Sequence, residues 1–151
     1  MDTSPLHDTD KPQDPAHRVA RILVIDDDVS VGVAIRAILG RHHCETVLAF
    51  RAYPGIHMLQ QSRFDVVMVD VFMPGLSGLN TIEYIRRALP IPIIAMSGFR
   101  LRNSAEAVDY LGMAAQRGAT LCMRKPFKPS QLIEAVESSI GLRGSIEGSI
   151  H

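Results

Sequence analysis

The chain is 151 residues long, 46% hydrophobic and 21% charged, which is enough for one domain with a real core and too short for two ordinary ones. Sixteen Lys and Arg balance sixteen Asp and Glu, so no net field draws the chain to nucleic acid or an anionic membrane, and its function must lie in a local site. Two cysteines, no Trp, a polar acidic N-terminus and no apolar run of membrane-spanning length exclude a disulfide framework, a base-stacking surface, a signal peptide and membrane insertion, and together read as a cytoplasmic protein.

Residues 1–18 are rich in Asp, Pro, Thr and His and carry too little apolar surface to offset the entropy of ordering, so they are expected as a disordered polar arm. The folded domain is expected over 19–141. Gly144, Ser145, Gly148 and Ser149 mark residues 142–151 as a flexible tail.

Within the domain, short apolar runs alternate with stretches of helical period, the pattern of a parallel α/β sheet. Arg21 to Asp26 is the first strand, apolar on consecutive positions as a strand buried on both faces must be. The first helix carries Val29, Val33, Ile35, Ala37, Ile38 and Leu39, with Gly40 near its end; Asp28 or Ser30 suits its N-cap. His42 and His43 follow as cations favourable to the helix dipole. Glu45 to Phe50 is the second strand, Pro54 to Gln61 the second helix and Asp65 to Asp70 the third strand. Gly78 to Leu89 is the third helix, with Leu79, Ile82, Tyr84 and Ile85 as its apolar stripe. Ile91 to Ser97, Ser104 to Arg117 and Thr120 to Lys125 are a strand, a helix and a strand. The last helix opens at Pro129-Ser130, with Leu132, Ile133, Val136 and Ile140 on one face and Glu134 and Glu137 off it.

Five βα units predict a doubly wound sheet, which binds its ligand outside the carboxyl ends of the strands where the strand order reverses. Those ends are Asp26-Asp27-Asp28, Asp70, Ser97-Gly98 and Lys125-Pro126. Carboxylates gathered on one rim repel unless a cation joins them. An all-oxygen ligand set with an open face suits Mg²⁺ and phosphate oxygens. Lys125 adds a point charge for a phosphoryl oxygen, and the Ser97 hydroxyl a donor. With no His or Cys at a strand end, the remaining nucleophile is a carboxylate, which can accept a phosphoryl group covalently.

Ile22-Leu-Val-Ile-Asp-Asp27, Val67-Met-Val-Asp70-Val-Phe-Met-Pro74-Gly75 with Gly78, Ala95-Met-Ser97-Gly98 and Arg124-Lys125-Pro126-Phe127 together resemble, in order and across the folded body, the receiver domain of two-component response regulators. The resemblance implies a flavodoxin-like fold of strand order 2-1-3-4-5 with helices on both faces. It further implies that Asp70 is the phosphoacceptor and that Asp26 and Asp27, with Asp70 and the Phe72 carbonyl, hold Mg²⁺. By the same resemblance Lys125 neutralises the phosphoryl group, Ser97 swings toward it, and the Lys125-Pro126 bond is cis. The donor is then a histidine kinase or a histidine phosphotransfer protein, and the chain is a signalling protein that catalyses only its own phosphorylation and dephosphorylation. A stand-alone receiver acts by binding a protein, relaying phosphate or drawing it off, and family members often dimerise when phosphorylated.

Three features depart from the family pattern. Cys122 stands where the switch aromatic of strand five is usual, so another side chain must take that part or a smaller rearrangement suffice. The stretch from Ser97 to Lys125 is longer than in most receivers, which predicts an altered partner surface at Phe99, Arg100, Leu101 and Arg102. Phe72 and Phe99 occupy the positions that tune hydrolysis; bulky rings obstruct an attacking water, so a long-lived aspartyl phosphate is expected. In this strand order Cys44 and Cys122 lie four strand steps apart, roughly 19 Å at ~4.8 Å per step, beyond disulfide reach. Two rival functions are a pseudo-receiver interaction module that is not phosphorylated, and, remotely, a Mg²⁺-dependent phosphatase of the haloacid dehalogenase type. The second rests on Asp26-x-Asp28, Ser97 and Lys125 but lacks a further acidic strand end after the lysine.

Overall fold

A computed structural model of the chain describes residues 18–73, 75, 77–98 and 109–148. The arm expected before Arg18, the candidate contacts Phe99, Arg100, Leu101 and Arg102, and the expected helix start at Ser104 lie outside these residues.

Ten elements alternate along the chain: β1 (Ala20–Ile25), α1 (Val29–Gly40), β2 (Cys44–Ala49), α2 (Ala52–Gln61), β3 (Val66–Asp70), α3 (Gly78–Ala88), β4 (Ile93–Ser97), α4 (Tyr110–Gln116), β5 (Leu121–Arg124) and α5 (Pro129–Gly148). The strands form one parallel sheet in the order β2-β1-β3-β4-β5, the fold class and strand order expected from the sequence.

Alternation along each strand sorts the core into two layers, because successive side chains point to opposite faces. Ile22, Val24, Met68, Ile94 and Met96 pack with Ile35 and Leu39 of α1 and Leu132 and Val136 of α5. Leu23, Ile25, Val67, Val69 and Ile93 pack with Ile56 and Leu59 of α2, Ile82 and Ile85 of α3 and Ala114 of α4. All five residues of β3 are buried, and this two-sided burial is why the strands read as unbroken apolar runs.

Boundaries differ from expectation where local chemistry is permissive. Helix α2 begins at Ala52, ahead of Pro54; a proline in the first turn has no intrahelical N–H to lose. Tyr84 is 48% exposed, since 100° per residue sets it well around the helix from Ile82 and off the stripe. Residue Arg18, placed in the arm, pairs with Asp65 at 3.0 Å. Helix α5 continues to Gly148, through the stretch expected as a tail from 142, so its glycines and serines do not stop the backbone ladder there. At the end of α1 the left-handed turn falls on His43 (φ 58°), three residues after Gly40, which remains helical.

Candidate functional site

Strands β1 and β3 run side by side until Ile25 pairs with Val69, so Asp26, just past the end of β1, and Asp70, the last residue of β3, come out side by side. Both are buried, at 1% and 5% exposure, while Asp27 stands in solvent. One carboxylate oxygen from each of Asp26, Asp27 and Asp70 can be chosen so that the three lie within 4.8 Å of one another. Lys125 arrives from the end of β5, where Ser97 pairs with Arg124 and the Lys125 N–H donates to the Ser97 carbonyl at 2.7 Å. The Lys125-Pro126 bond is cis. Its ammonium donates to Asp26 at 2.5 Å and lies 3.5 Å from Asp70 Oδ2. Sequence reasoning named Asp26, Asp27, Asp70 and Lys125, and the fold brings them to one rim; Ser97 closes β4 beside them.

Around these groups the backbone completes the site. The Asp28 N–H donates to Asp26 Oδ1 at 2.9 Å, and the Phe72 N–H to Asp70 Oδ1 at 3.1 Å. The Asp28 side chain caps α1, accepting from the Ser30 and Val31 N–H groups, and the Ser30 hydroxyl above all holds its carboxyl below the usual range. Gly78 opens α3 against the exit of β3. A Cβ there would fall 2.0 Å from the Asp70 carbonyl oxygen and 2.4 Å from Val71 Cα, so only glycine lets α3 begin so close to the acidic rim.

Among the described residues, Lys125 is the cation paired with the carboxylates of the rim. Burial first, then the neighbouring Asp26, push the Asp70 carboxyl up to about 7, against the opposing pull of Lys125 and the Phe72 N–H. Three carboxylates, two of them paired with Lys125, form an oxygen-only donor set for a hard divalent cation, and a cation there would relieve the repulsion that raises Asp70. The donors therefore fit Mg²⁺ and do not resemble a zinc site. A cleft of about 400 Å³ opens from this rim, with Asp27, Asp70 and Lys125 at its polar end and Val31, Ile38 and Phe127 along its apolar wall.

One residue that sequence reasoning missed, Tyr110, sits beside Phe72 at the site. The rings of Phe72 and Tyr110 meet edge to face with centroids 4.4 Å apart. Tyr110 gave no periodic signal because it is the first residue of a seven-residue helix, too short for a stripe to show. Arg86 reaches across from α3 to the Gly118 carbonyl at 2.9 Å and thereby ties α3 to the turn before β5. Cys122 is exposed on β5, with Sγ 3.4 Å from the Leu111 carbonyl. Cys44 lies in β2 at the other edge of the sheet, and both thiols are free, as the separation argument required. The acidic strand end that a haloacid dehalogenase phosphatase needs after its lysine does not form among the described residues: α5 follows, with Glu134 and Glu137 exposed on it.

Residues 22–137, which take in every strand end of the rim, match the response regulator receiver domain. The chain belongs to this family. It is similar to the DNA-binding response regulator MtrA of Mycolicibacterium paratuberculosis, at 26% identity over 80% of this chain and 51% of that protein. It is also similar to the sensor histidine kinase GacS of Pseudomonas protegens, at 28% identity over 83% of this chain and 14% of that one. The receiver thus spans about half or less of the length of these curated relatives. Among solved structures, the receiver domain of NtrX from Brucella abortus superposes with a TM-score of 0.72 at 28% identity, covering 80% of this chain and 98% of that one. A response regulator receiver domain protein from Clostridium thermocellum does so with a TM-score of 0.75 at 27% identity, covering 84% and 98%. Receivers are signalling modules of two-component phosphorelays that interact with histidine kinases. Among the described residues of this receiver, no helix is long and apolar enough to cross a membrane.

Proposed function

We propose that this receiver accepts a phosphoryl group on Asp70 from the phosphohistidine of a histidine kinase or phosphotransfer protein, in a Mg²⁺-dependent reaction in the cytoplasm. The observation that carries the reading is the convergence of Asp26, Asp27 and Asp70 with Lys125 on one rim, its ammonium 3.5 Å from Asp70 Oδ2. In the transfer, a carboxylate oxygen of ionised Asp70 attacks phosphorus as the P–N bond to the donor imidazole breaks, and the leaving imidazole retains the electron pair and takes up a proton. Asp26, Asp27 and Asp70, with the Phe72 carbonyl, would hold the ion. When bound, Mg²⁺ supplies charge neutralisation for the phosphoryl oxygens. Lys125 offers them a second positive charge and Ser97 a hydroxyl donor once the group is in place. The Asp26 and Phe72 contacts hold the lysine and the acceptor so that little reorganisation remains at the moment of transfer.

The phosphorylated form signals by protein–protein interaction, with a target protein or a second copy of the chain, or passes the group on in a relay. Phe72 lines the same cleft as Asp70, and its apolar side chain offers no group to orient an attacking water, which supports a long-lived aspartyl phosphate. A second reading, an interaction module that is not phosphorylated, draws its support from Cys122 at the usual switch-aromatic position.

Intact-mass spectrometry after incubation with Mg²⁺ and acetyl phosphate, beside Asp70→Asn, tests the proposal. One added phosphoryl group that is absent from the variant supports it. A folded, Mg²⁺-supplied protein that gains no phosphoryl group from acetyl phosphate or from any histidine donor favours the second reading.

A further inference from the structure

Phosphorylation is useful only if another surface can sense it, and the residue that would ordinarily carry that message on β5 is here a small, exposed thiol. The contacts around Asp70 offer a different route. Asp70 Oδ1 accepts the Phe72 N–H at 3.1 Å, so the backbone two residues on is fastened to the reacting carboxylate itself. The Phe72 ring in turn packs edge to face on Tyr110, centroids 4.4 Å apart, an arrangement in which a small change in one ring's position is felt by the other. Tyr110 is the first residue of α4, and the next residue, Leu111, offers its carbonyl to Cys122 Sγ of β5 at 3.4 Å. Acceptor, loop, helix start and edge strand are therefore joined in one chain of contacts.

Resting on the reading of Asp70 as phosphoacceptor, we propose that the Phe72–Tyr110 ring pair is the coupling device of this receiver, transmitting the state of Asp70 to the start of α4 in place of an aromatic on β5. Phosphorylation of Asp70, which turns its carboxylate into an acyl phosphate, changes the charge and the acceptor capacity of the group that holds the Phe72 N–H. The loop bearing Phe72 then adopts a new balance of positions, and the Tyr110 ring and first turn of α4 follow. Cys122 fits this arrangement, because it contacts Leu111, the residue after Tyr110, and carries no ring to rotate inward.

The chain has three tyrosines, and Tyr53 and Tyr84 are exposed at 70% and 48%, so fluorotyrosine incorporation gives a small set of ¹⁹F resonances assignable by single Tyr→Phe changes. With loading by Mg²⁺ and acetyl phosphate verified by intact mass in every sample, the Tyr110 resonance should shift on phosphorylation while those of Tyr53 and Tyr84 stay in place. In Phe72→Leu, which keeps apolar bulk and the backbone N–H but removes the ring, the loaded protein should lose the shift. A loaded wild type whose Tyr110 resonance does not move overturns the coupling and leaves Asp70 as acceptor. A shift of equal size in loaded Phe72→Leu also overturns it, by showing that the message bypasses the ring pair. Failure of the wild type to load overturns the acceptor reading first, and the coupling with it.

Discussion

Strand β3 has a buried aspartate at each end, and the two live in opposite electrostatic circumstances. Asp65, just before the strand, accepts from the Arg18 guanidinium at 3.0 Å and from the Arg21 N–H at 2.8 Å, with Arg21 stacked over Phe64 beside it. Asp70, at the other end, shares a single lysine with Asp26, has Asp27 close by, and has its carboxyl pushed up to about 7. Residue type and depth are alike, yet among the described residues one carboxylate is well supplied with donors and the other lies in a deficit of positive charge. Burial by itself is a weak pointer to a functional acid; burial with an uncompensated charge is a stronger one, since that deficit is what a bound cation would relieve.

The contrast can be broken most forcefully at Lys125. Replacing it with Met leaves the Asp26 and Asp70 carboxylates facing each other without their cation, and chemical denaturation at neutral pH without metal should show a loss of about 3 kcal/mol. Adding Mg²⁺, or combining the change with Asp70→Asn, should recover a large part of that loss.

The two ends of β3 should then respond to the same substitution with opposite signs. Asp65→Asn weakens a charge-assisted contact and should destabilise by about 2 kcal/mol. Asp70→Asn removes a repelled charge and should stabilise the metal-free protein by about 2 kcal/mol at pH 7, while abolishing phosphoryl loading. Since the Asp70 carboxyl is raised from 3.8 to about 7, the folded chain keeps a proton that the unfolded chain releases. The stability this group contributes is therefore fully present below about pH 4 and is lost as pH rises through 7. The advantage of Asp70→Asn over wild type should accordingly open across that window and close in acid; a gap independent of pH would refute the assigned cause.

A finer distinction concerns water. Phe72→Asn replaces an obstructing ring with a group able to orient an attacking water, so the half-life of the aspartyl phosphate, followed by intact mass after removal of the donor, should shorten on the order of tenfold. Slower hydrolysis in the variant, or a half-life of seconds in the wild type with Mg²⁺ at neutral pH, would remove Phe72 from that role.

Much of this was legible in the chain. Unbroken apolar runs such as Ile22 to Ile25 and Val66 to Val69 are what a strand buried on both faces requires, so the doubly wound sheet and its strand ends followed from pattern alone. Because functional groups in such a sheet gather at those ends, Asp26, Asp27, Asp70, Ser97 and Lys125 could be named without coordinates. Glycine and serine near the C-terminus misled, since the backbone of α5 runs to Gly148 and composition reports only an average tendency to end a helix. Gly78 could be read as part of a motif, but its reason, an α3 start that leaves no room for a Cβ over the Asp70 carbonyl, is a distance between two elements.

Residue types and their order thus determined the fold class and the composition of the rim, because periodicity and strand-end placement are local properties of a sequence. Tertiary structure alone decided which aspartate on β3 is satisfied and which is strained by its neighbours, and that Phe72 meets Tyr110. Both depend on separations of a few ångströms between segments far apart in the chain, and Coulomb energy, desolvation and ring packing all vary steeply over such distances.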